Sequence, residues 1–146
     1  TEADVAAVRA GLADGTIDCI ATDHAPHTQE AKEQPFDQAP PGMLGLETAL
    51  ALALTHLDLP ITEVLALMSW RPAAIIGADD AHGGPVAEGR PANLCVIDPT
   101  ATWTVDPDRL ASRSCNTPYT GMRLTGRVRH TVVDGEAVVV DAEAQR

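Results

Sequence analysis

One short apolar run constrains this chain more than any other stretch, because it halts abruptly at a cluster of chemical groups. Ile17, Cys19 and Ala21 alternate with Asp18, Ile20 and Thr22, and the β-branched residues among them favour extended backbone. The pattern predicts a buried strand over residues 17–22. Asp23, His24 and His27 then fall within five residues, and Pro26 cannot continue a strand ladder because it has no N–H. A carboxylate and two imidazoles at the C-terminal end of a strand are the raw material of a metal or acid–base site. The same residues also suit a polar turn in which Asp23 caps the backbone, so the local pattern leaves both readings open.

The surrounding segments set this run in an α/β frame. Residues 1–12 predict a helix, with Thr1 as N-cap, Asp4 at the capping-box position and Val5, Val8 and Leu12 on one face. Asp14-Gly15 stops it, and the strand follows, a step typical of alternating α/β folds. Pro26, Pro35, Pro40, Pro41 and Gly42 make residues 23–42 a long irregular loop at the strand's open end. Loops of that length in a compact domain are usually functional or disordered. Glu30, Lys32, Glu33 and Asp37 are expected on its solvated face. Residues 43–57 predict a very apolar helix, covered on more than one side, with His56 as a dipole partner or surface residue near its end. Thr62 is expected to cap a second helix reaching about Trp70. Arg71-Pro72 opens a third, which Gly77 closes.

The composition changes at residues 78–91, where Asp79-Asp80, Gly83-Gly84-Pro85, Gly89 and Pro91 read as a linker. Beyond it the pattern is β. Strands are expected over 93–98, ended by Pro99, and over 102–105, with a turn at Asp106-Pro107 and a polar loop over 112–122. Residues 127–133 and 136–140 flank Asp134-Gly135, the strongest short hairpin pattern available. Four or so strands are thin for an independent fold and point to missing partners. The entry at Thr1, without Met and directly into helical pattern, likewise suggests a piece of something longer.

Composition bounds the function classes. The 146 residues are 45% hydrophobic but only 3% aromatic, so a core must rest on Ala, Leu, Val and Ile. A formal charge of −11 argues against nucleic acid and anionic membranes as partners. It does not exclude an anionic small substrate, because one metal ion can reverse the local field. Cys19, Cys95 and Cys115 are odd in number and widely spaced, which predicts buried free thiols in a reducing cytoplasm rather than a disulfide framework or cysteine zinc site. No apolar run reaches the roughly 18 residues a membrane helix needs, and no signal peptide is visible.

The string Ala21-Thr22-Asp23-His24-Ala25-Pro26-His27 resembles the dihydroorotases of the cyclic amidohydrolase superfamily. Other segments follow in that family's order. Pro41-Gly42-Met43-Leu44-Gly45-Leu46-Glu47-Thr48 is similar to the loop and helix start after its last barrel strand. Gly89-Arg90-Pro91-Ala92-Asn93-Leu94 is similar to the strand that opens its C-terminal β-domain. Ser112-Arg113-Ser114-Cys115-Asn116-Thr117-Pro118-Tyr119, and Gly126-Arg127-Val128 through Val133-Asp134-Gly135, match its closing segments. The resemblance implies an α/β fold: residues 1–77 as the last βα portion of a TIM-type (β/α)₈ metal-dependent hydrolase barrel, 78–91 as linker, and 92–146 as strands of a small β-sandwich. A full barrel takes roughly 250 residues, so most of it is absent here.

The family's His-x-His pair, modified lysine and further zinc histidines do not occur in this chain, and His24 and His27 have the wrong spacing to replace them. Carried over by position, the resemblance makes Asp23 a zinc ligand and the catalytic acid–base, His27 a substrate-binding histidine, and Pro41 and Gly42 the loop pair whose backbone touches substrate. The family often has Phe where Pro41 stands; proline has no N–H, so Gly42 must supply any backbone donor. No role is assigned to His24. Asn116, Trp70 and Trp103 are expected to be structural, and Glu47 to stabilise a helix dipole. The implied activity is zinc-dependent, reversible interconversion of dihydroorotate and N-carbamoyl-L-aspartate in pyrimidine synthesis, with this chain inactive alone. The implied partners are those small molecules, the remainder of the barrel and a second copy in a homodimer. Two alternatives stay open: an allantoinase or dihydropyrimidinase, against which the two-histidine form Asp23-His24-Ala25-Pro26-His27 speaks, and an inactive scaffold for aspartate carbamoyltransferase, against which Asp23 and His27 speak.

Overall fold

Thr1 starts the first helix in the way its neighbours predict. In the computed structural model, which describes residues 1–145, helix α1 runs Glu2–Asp14. The Thr1 hydroxyl accepts from the Asp4 N–H at 3.3 Å, the Asp4 carboxylate accepts from the terminal ammonium at 2.7 Å, and Gly15 closes the helix with φ 82°. Arg146, the last residue of the expected β unit, lies outside the described residues.

Residues 17–22 form no strand. A strand needs a neighbour to ladder with, and this backbone finds only single bonds, from the Ile17 N–H to the Gly11 carbonyl at 2.8 Å and from the Ile20 N–H to the Leu67 carbonyl at 2.9 Å. The proline-rich loop is irregular as expected, apart from one helical turn, α2 (Gln29–Lys32), capped by Thr28. Helix α3 (Ala49–His56) starts later than its apolar pattern suggests, because residues 43–46 bond to other segments instead. Helix α4 (Ile61–Met68) takes Pro60 rather than Thr62 as N-cap. Helix α5 (Trp70–Ile75) follows, with Gly77 beyond it at φ 69°. Arg71 and Glu63 join α4 to α5 through a 2.5 Å ion pair, and Val64 and Leu67 of α4 are fully buried.

The linker is tied down. The Arg90 guanidinium donates to the carbonyls of Asp79 at 2.7 Å and Asp80 at 3.2 Å. The Asn93 amide bridges linker and sheet, donating to the Ala81 carbonyl at 2.9 Å and accepting from the Asp134 N–H at 2.7 Å. Strands β1 (Leu94–Thr104), β2 (Arg123–Val133), β3 (Glu136–Val140) and β4 (Glu143–Ala144) form one antiparallel sheet in sequence order. The two strands expected on either side of Pro99 are a single strand. Its register breaks between Asp98 and Thr102, where the Asp98 carboxylate accepts from the N–H groups of Thr100 at 2.9 Å and Ala101 at 3.0 Å. Those Thr100 bonds hold the Asp98 carboxyl below the usual carboxylate range. An edge strand with such an irregularity tolerates proline. Asp134 (φ 48°) and Gly135 (φ 86°) supply the two positive φ angles of a type I′ hairpin.

Among the described residues the sheet has no second sheet facing it; helix α3 lies on it instead. Gly126, at φ 95°, has no Cβ to collide with Leu54, so helix and strand approach closely. The Thr125 N–H donates to the Thr55 hydroxyl at 2.9 Å. Ala51 of α3 packs with Val105 and Leu124, flanked by Leu52, Trp103 and Tyr119. Trp103 is structural, as expected: its Nε1–H donates to the Gly126 carbonyl at 3.0 Å and Arg127 stacks over its ring. No described helix is long and apolar enough to cross a membrane. All three cysteines are free, but only Cys19 is partly buried; Cys95 and Cys115 are exposed, against the expectation of burial. Leu124 is 0% exposed at the heart of the helix–sheet contact. Leu124→Ala is expected to cost about 2–5 kcal/mol, while the exposed Val86→Ala stays within about 0.5 kcal/mol, both read from urea denaturation midpoints.

Candidate active site

The site begins with a backbone turn that only a few residue types make easily. Asp23 has φ 47°, in the left-handed region that Asp and Asn tolerate better than other side-chain-bearing residues. This bend ends the apolar run and brings the next residues alongside a second segment. His24 forms a parallel bridge with Met43, and the Ala25 N–H donates to the Met43 carbonyl at 2.9 Å. Gly45 makes the crossing possible, since a Cβ there would lie 2.8 Å from the Thr22 carbonyl oxygen. His24 Nδ1 accepts from the N–H groups of Gly45 at 3.0 Å and Leu46 at 3.4 Å, so it anchors the crossing segment.

His27 is held at both its ring and its backbone. Its Nε2 lies 2.9 Å from the Pro41 carbonyl oxygen; a carbonyl only accepts, so that nitrogen carries a proton. Its backbone N–H donates to Asn116 Oδ1 at 3.1 Å, across 89 residues of sequence. The other end of the Asn116 amide donates to the carbonyls of Ala25 at 2.9 Å and Gly42 at 3.4 Å, and the Asn116 carbonyl accepts from the Leu44 N–H at 3.0 Å. Lys32 Nζ donates to the carbonyls of Pro40 at 2.9 Å and Gly42 at 3.1 Å. Gly42 sits in the middle of these bonds with φ 117°, where a Cβ would come within 2.6 Å of Ala25 Cβ and 3.2 Å of His27 Nε2.

A cleft of 590 Å³ opens here, walled by Asp23, Lys32, Gly42, Met43 and Asn116 among others. Of the residues singled out in the sequence, Asp23 and Gly42 line this cleft. His27 and Pro41 are not among its lining residues; they are bonded to each other, next to the lining residue Gly42. The Asp23 carboxylate accepts no hydrogen bond from any described residue, which leaves its oxygens available as base or ligand. The described residues contain no group of three or more His, Cys, Asp or Glu placed to hold a metal ion. Asp23 fits as one oxygen donor of a larger set, and both nearby histidines already engage one ring nitrogen elsewhere. A larger hollow of 790 Å³, bordered by α3, Trp103 and Arg127, contains none of Asp23, His27, Pro41 and Gly42.

Three residues do more here than their sequence context suggests. Asn116 is structural as expected, yet it braces the candidate site itself. Lys32 is half-buried and clamps the Pro40–Gly42 turn rather than facing only solvent. Glu47 precedes α3 and accepts from the N–H groups of Ala111 at 2.9 Å and Ser112 at 3.4 Å, in place of the expected helix-dipole role. The polar string around Asn116 was the only trace of its role, since its partners are dozens of residues away.

The fold defines the class. Over 95% of its length the chain aligns with a D-hydantoinase (dihydropyrimidinase) from Thermus sp., with a TM-score of 0.85 and 26% identity, covering 32% of that chain. This is an amidohydrolase-type hydrolase fold. The sequence profile of the amidohydrolase family matches residues 1–138, and the chain belongs to that family. It is 49% identical to a dihydroorotase from Mycobacterium leprae over 92% of this chain and 32% of that relative. It is likewise 49% identical to a dihydroorotase from Streptomyces coelicolor over 98% of this chain and 34% of that relative. The chain therefore spans about a third of the length of the curated relatives it matches.

The crowding around Gly42 has a direct consequence. Gly42→Ala is expected to push the His27 ring off Pro41 and to lower stability by about 1–3 kcal/mol. A lowered unfolding midpoint together with a moved His27 ring N–H resonance is the expected result; an unmoved resonance contradicts the contact.

Proposed function

We propose that the complete protein to which this chain belongs is a zinc-dependent cyclic amide hydrolase that interconverts dihydroorotate and N-carbamoyl-L-aspartate in pyrimidine synthesis. The chain contributes the acid–base group and part of the substrate pocket, and is inactive alone. In this reading residues 1–77 are the last βα portion of a (β/α)₈ barrel, 78–91 a linker, and 92–146 strands of a β-sandwich completed by strands elsewhere in the protein. Neighbouring barrel strands would supply the ladder that residues 17–22 lack here. The exposed free thiols Cys95 and Cys115 fit a reducing cytoplasm.

The observation that carries the proposal is the Asp23 carboxylate, bent into a cleft beside Gly42 with no hydrogen-bond partner among the described residues. Opening a cyclic amide needs a nucleophile, a polarised carbonyl and a proton for the leaving nitrogen. Zinc, when bound by Asp23 and by ligands from the rest of the protein, polarises the carbonyl and makes water more acidic. Asp23 takes the proton that the attacking water loses and hands it to the ring nitrogen as the C–N bond breaks. In ring closure it takes the amide proton and returns it to the departing oxygen. His27 Nε2–H is engaged by Pro41, so a substrate carboxylate would meet Nδ1, and that contact requires the imidazolium. Pro41 has no N–H, so Gly42 supplies the backbone donor of the pair. The Lys32 ammonium on the cleft wall favours an anionic substrate.

A hydantoinase- or dihydropyrimidinase-type ring opening is the second reading, favoured by the fold likeness to the Thermus enzyme. The 49% identity to dihydroorotases supports the first reading ahead of it. Assays of the complete protein with dihydroorotate, dihydrouracil and hydantoin separate the two. Asp23→Asn in the complete protein is expected to lower kcat/KM for dihydroorotate about 10²–10⁴-fold; an ordinary rate in that variant overturns the proposal. Chelation is expected to abolish turnover and added zinc to restore it. A complete protein that binds no metal and turns over nothing would instead support the scaffold for aspartate carbamoyltransferase.

A further inference from the structure

We infer that Asn116 is a positioning residue for the substrate-binding side of the cleft: its single amide holds His27 and the Gly42 turn in register with each other. The inference rests on the proposed reading of His27 and Gly42 as substrate contacts. Asn116 comes from the polar loop between β1 and β2, while its partners lie 74 to 91 residues earlier. The amide has one acceptor and two donor directions, and the surroundings fix which end is which. Oδ1 faces the His27 N–H, and Nδ2 faces the carbonyls of Ala25 and Gly42. The neighbouring main chain adds a fourth bond, from the Leu44 N–H to the Asn116 carbonyl. Segments 25–27 and 42–44, which carry the proposed substrate contacts, already meet through the Ala25 N–H to Met43 carbonyl bond, and one side chain that lines the cleft holds them both as well.

Each segment has other anchors, and the Ala25 N–H to Met43 carbonyl bond joins the two directly. Lys32 also bonds the Gly42 carbonyl, and His27 Nε2 also bonds Pro41. Among the described residues, only the Asn116 side chain ties the backbone of residues 25–27 to the Gly42 carbonyl itself. Losing it leaves Asp23, its bend and its pairing neighbours untouched. The expected signature is therefore weaker substrate binding with the chemical step largely preserved.

The test is a double-mutant cycle in the complete protein with dihydroorotate as substrate. Asn116→Ala is expected to raise KM about tenfold while kcat falls less than about threefold. In a His27→Ala background the same change is expected to raise KM less than about threefold, because its target is already gone. An unchanged KM, or equal effects in both backgrounds, overturns the inference. Hydrogen exchange gives a readout independent of turnover: segment 23–28 is expected to exchange at least about tenfold faster in Asn116→Ala, since the His27 amide loses its acceptor. Unaltered exchange also overturns the inference. If Asn116→Ala does not fold, Asn116→Asp keeps an oxygen for the His27 N–H but loses both donors. It is then expected to raise KM by a similar factor, and an unchanged KM counts against the role. A complete protein that shows no dihydroorotate turnover refutes the proposed function, and the exchange measurement then decides the positioning role alone.

Discussion

Three stretches of chain, distant in sequence, meet at one side-chain amide. Asn116 accepts from residue 27 and donates to residues 25 and 42, and so adds a neutral clamp to the direct pairing of Ala25 with Met43. The chemistry of an amide suits the position. A carboxylate would face two carbonyl oxygens with no donor to offer, and an ammonium would leave the His27 N–H without an acceptor. A side chain carrying both polarities satisfies all of them and adds no charge to a cleft whose wall already holds Asp23 and Lys32.

That clamp links the cleft to the sheet through a closed circuit. The segment after Gly42 runs directly into α3, and α3 packs on β2 across Gly126. From the start of α3, Glu47 reaches the N–H groups of Ala111 and Ser112. A few residues further on, the same loop delivers Asn116 back to the cleft. The β unit is therefore part of what positions the site, and the shared core of Ala51, Val105 and Leu124 is what keeps the circuit rigid.

What the sequence made legible was whatever depends on near neighbours. The capping box at Thr1, the irregular proline-rich loop and the Asp134-Gly135 hairpin all follow from contacts within a few residues. Residues 17–22 look like a strand because their alternation is right, but a ladder is a property of two segments, and among the described residues none pairs with them as a strand. Pro99 looked like a stop, yet Asp98 folds over the next residues and lets the strand resume. Thr62 is a good cap by type, but Pro60 already presets the backbone two residues earlier. At the site, Asp23 and Gly42 could be named because a motif marks them. The roles of Asn116, Lys32 and Glu47 could not, since each depends on a loop closing over a distance that no local pattern encodes.

The left-handed bend at Asp23 also limits how this position can drift. Glycine or asparagine would sit in the same backbone well without difficulty, but neither could carry out the proton transfer proposed for Asp23. Glutamate could shuttle one, but its backbone is less at ease there and its longer arm would carry the acid group elsewhere. Conformation and reactivity each admit a short roster of residues, and the two rosters overlap at a single name.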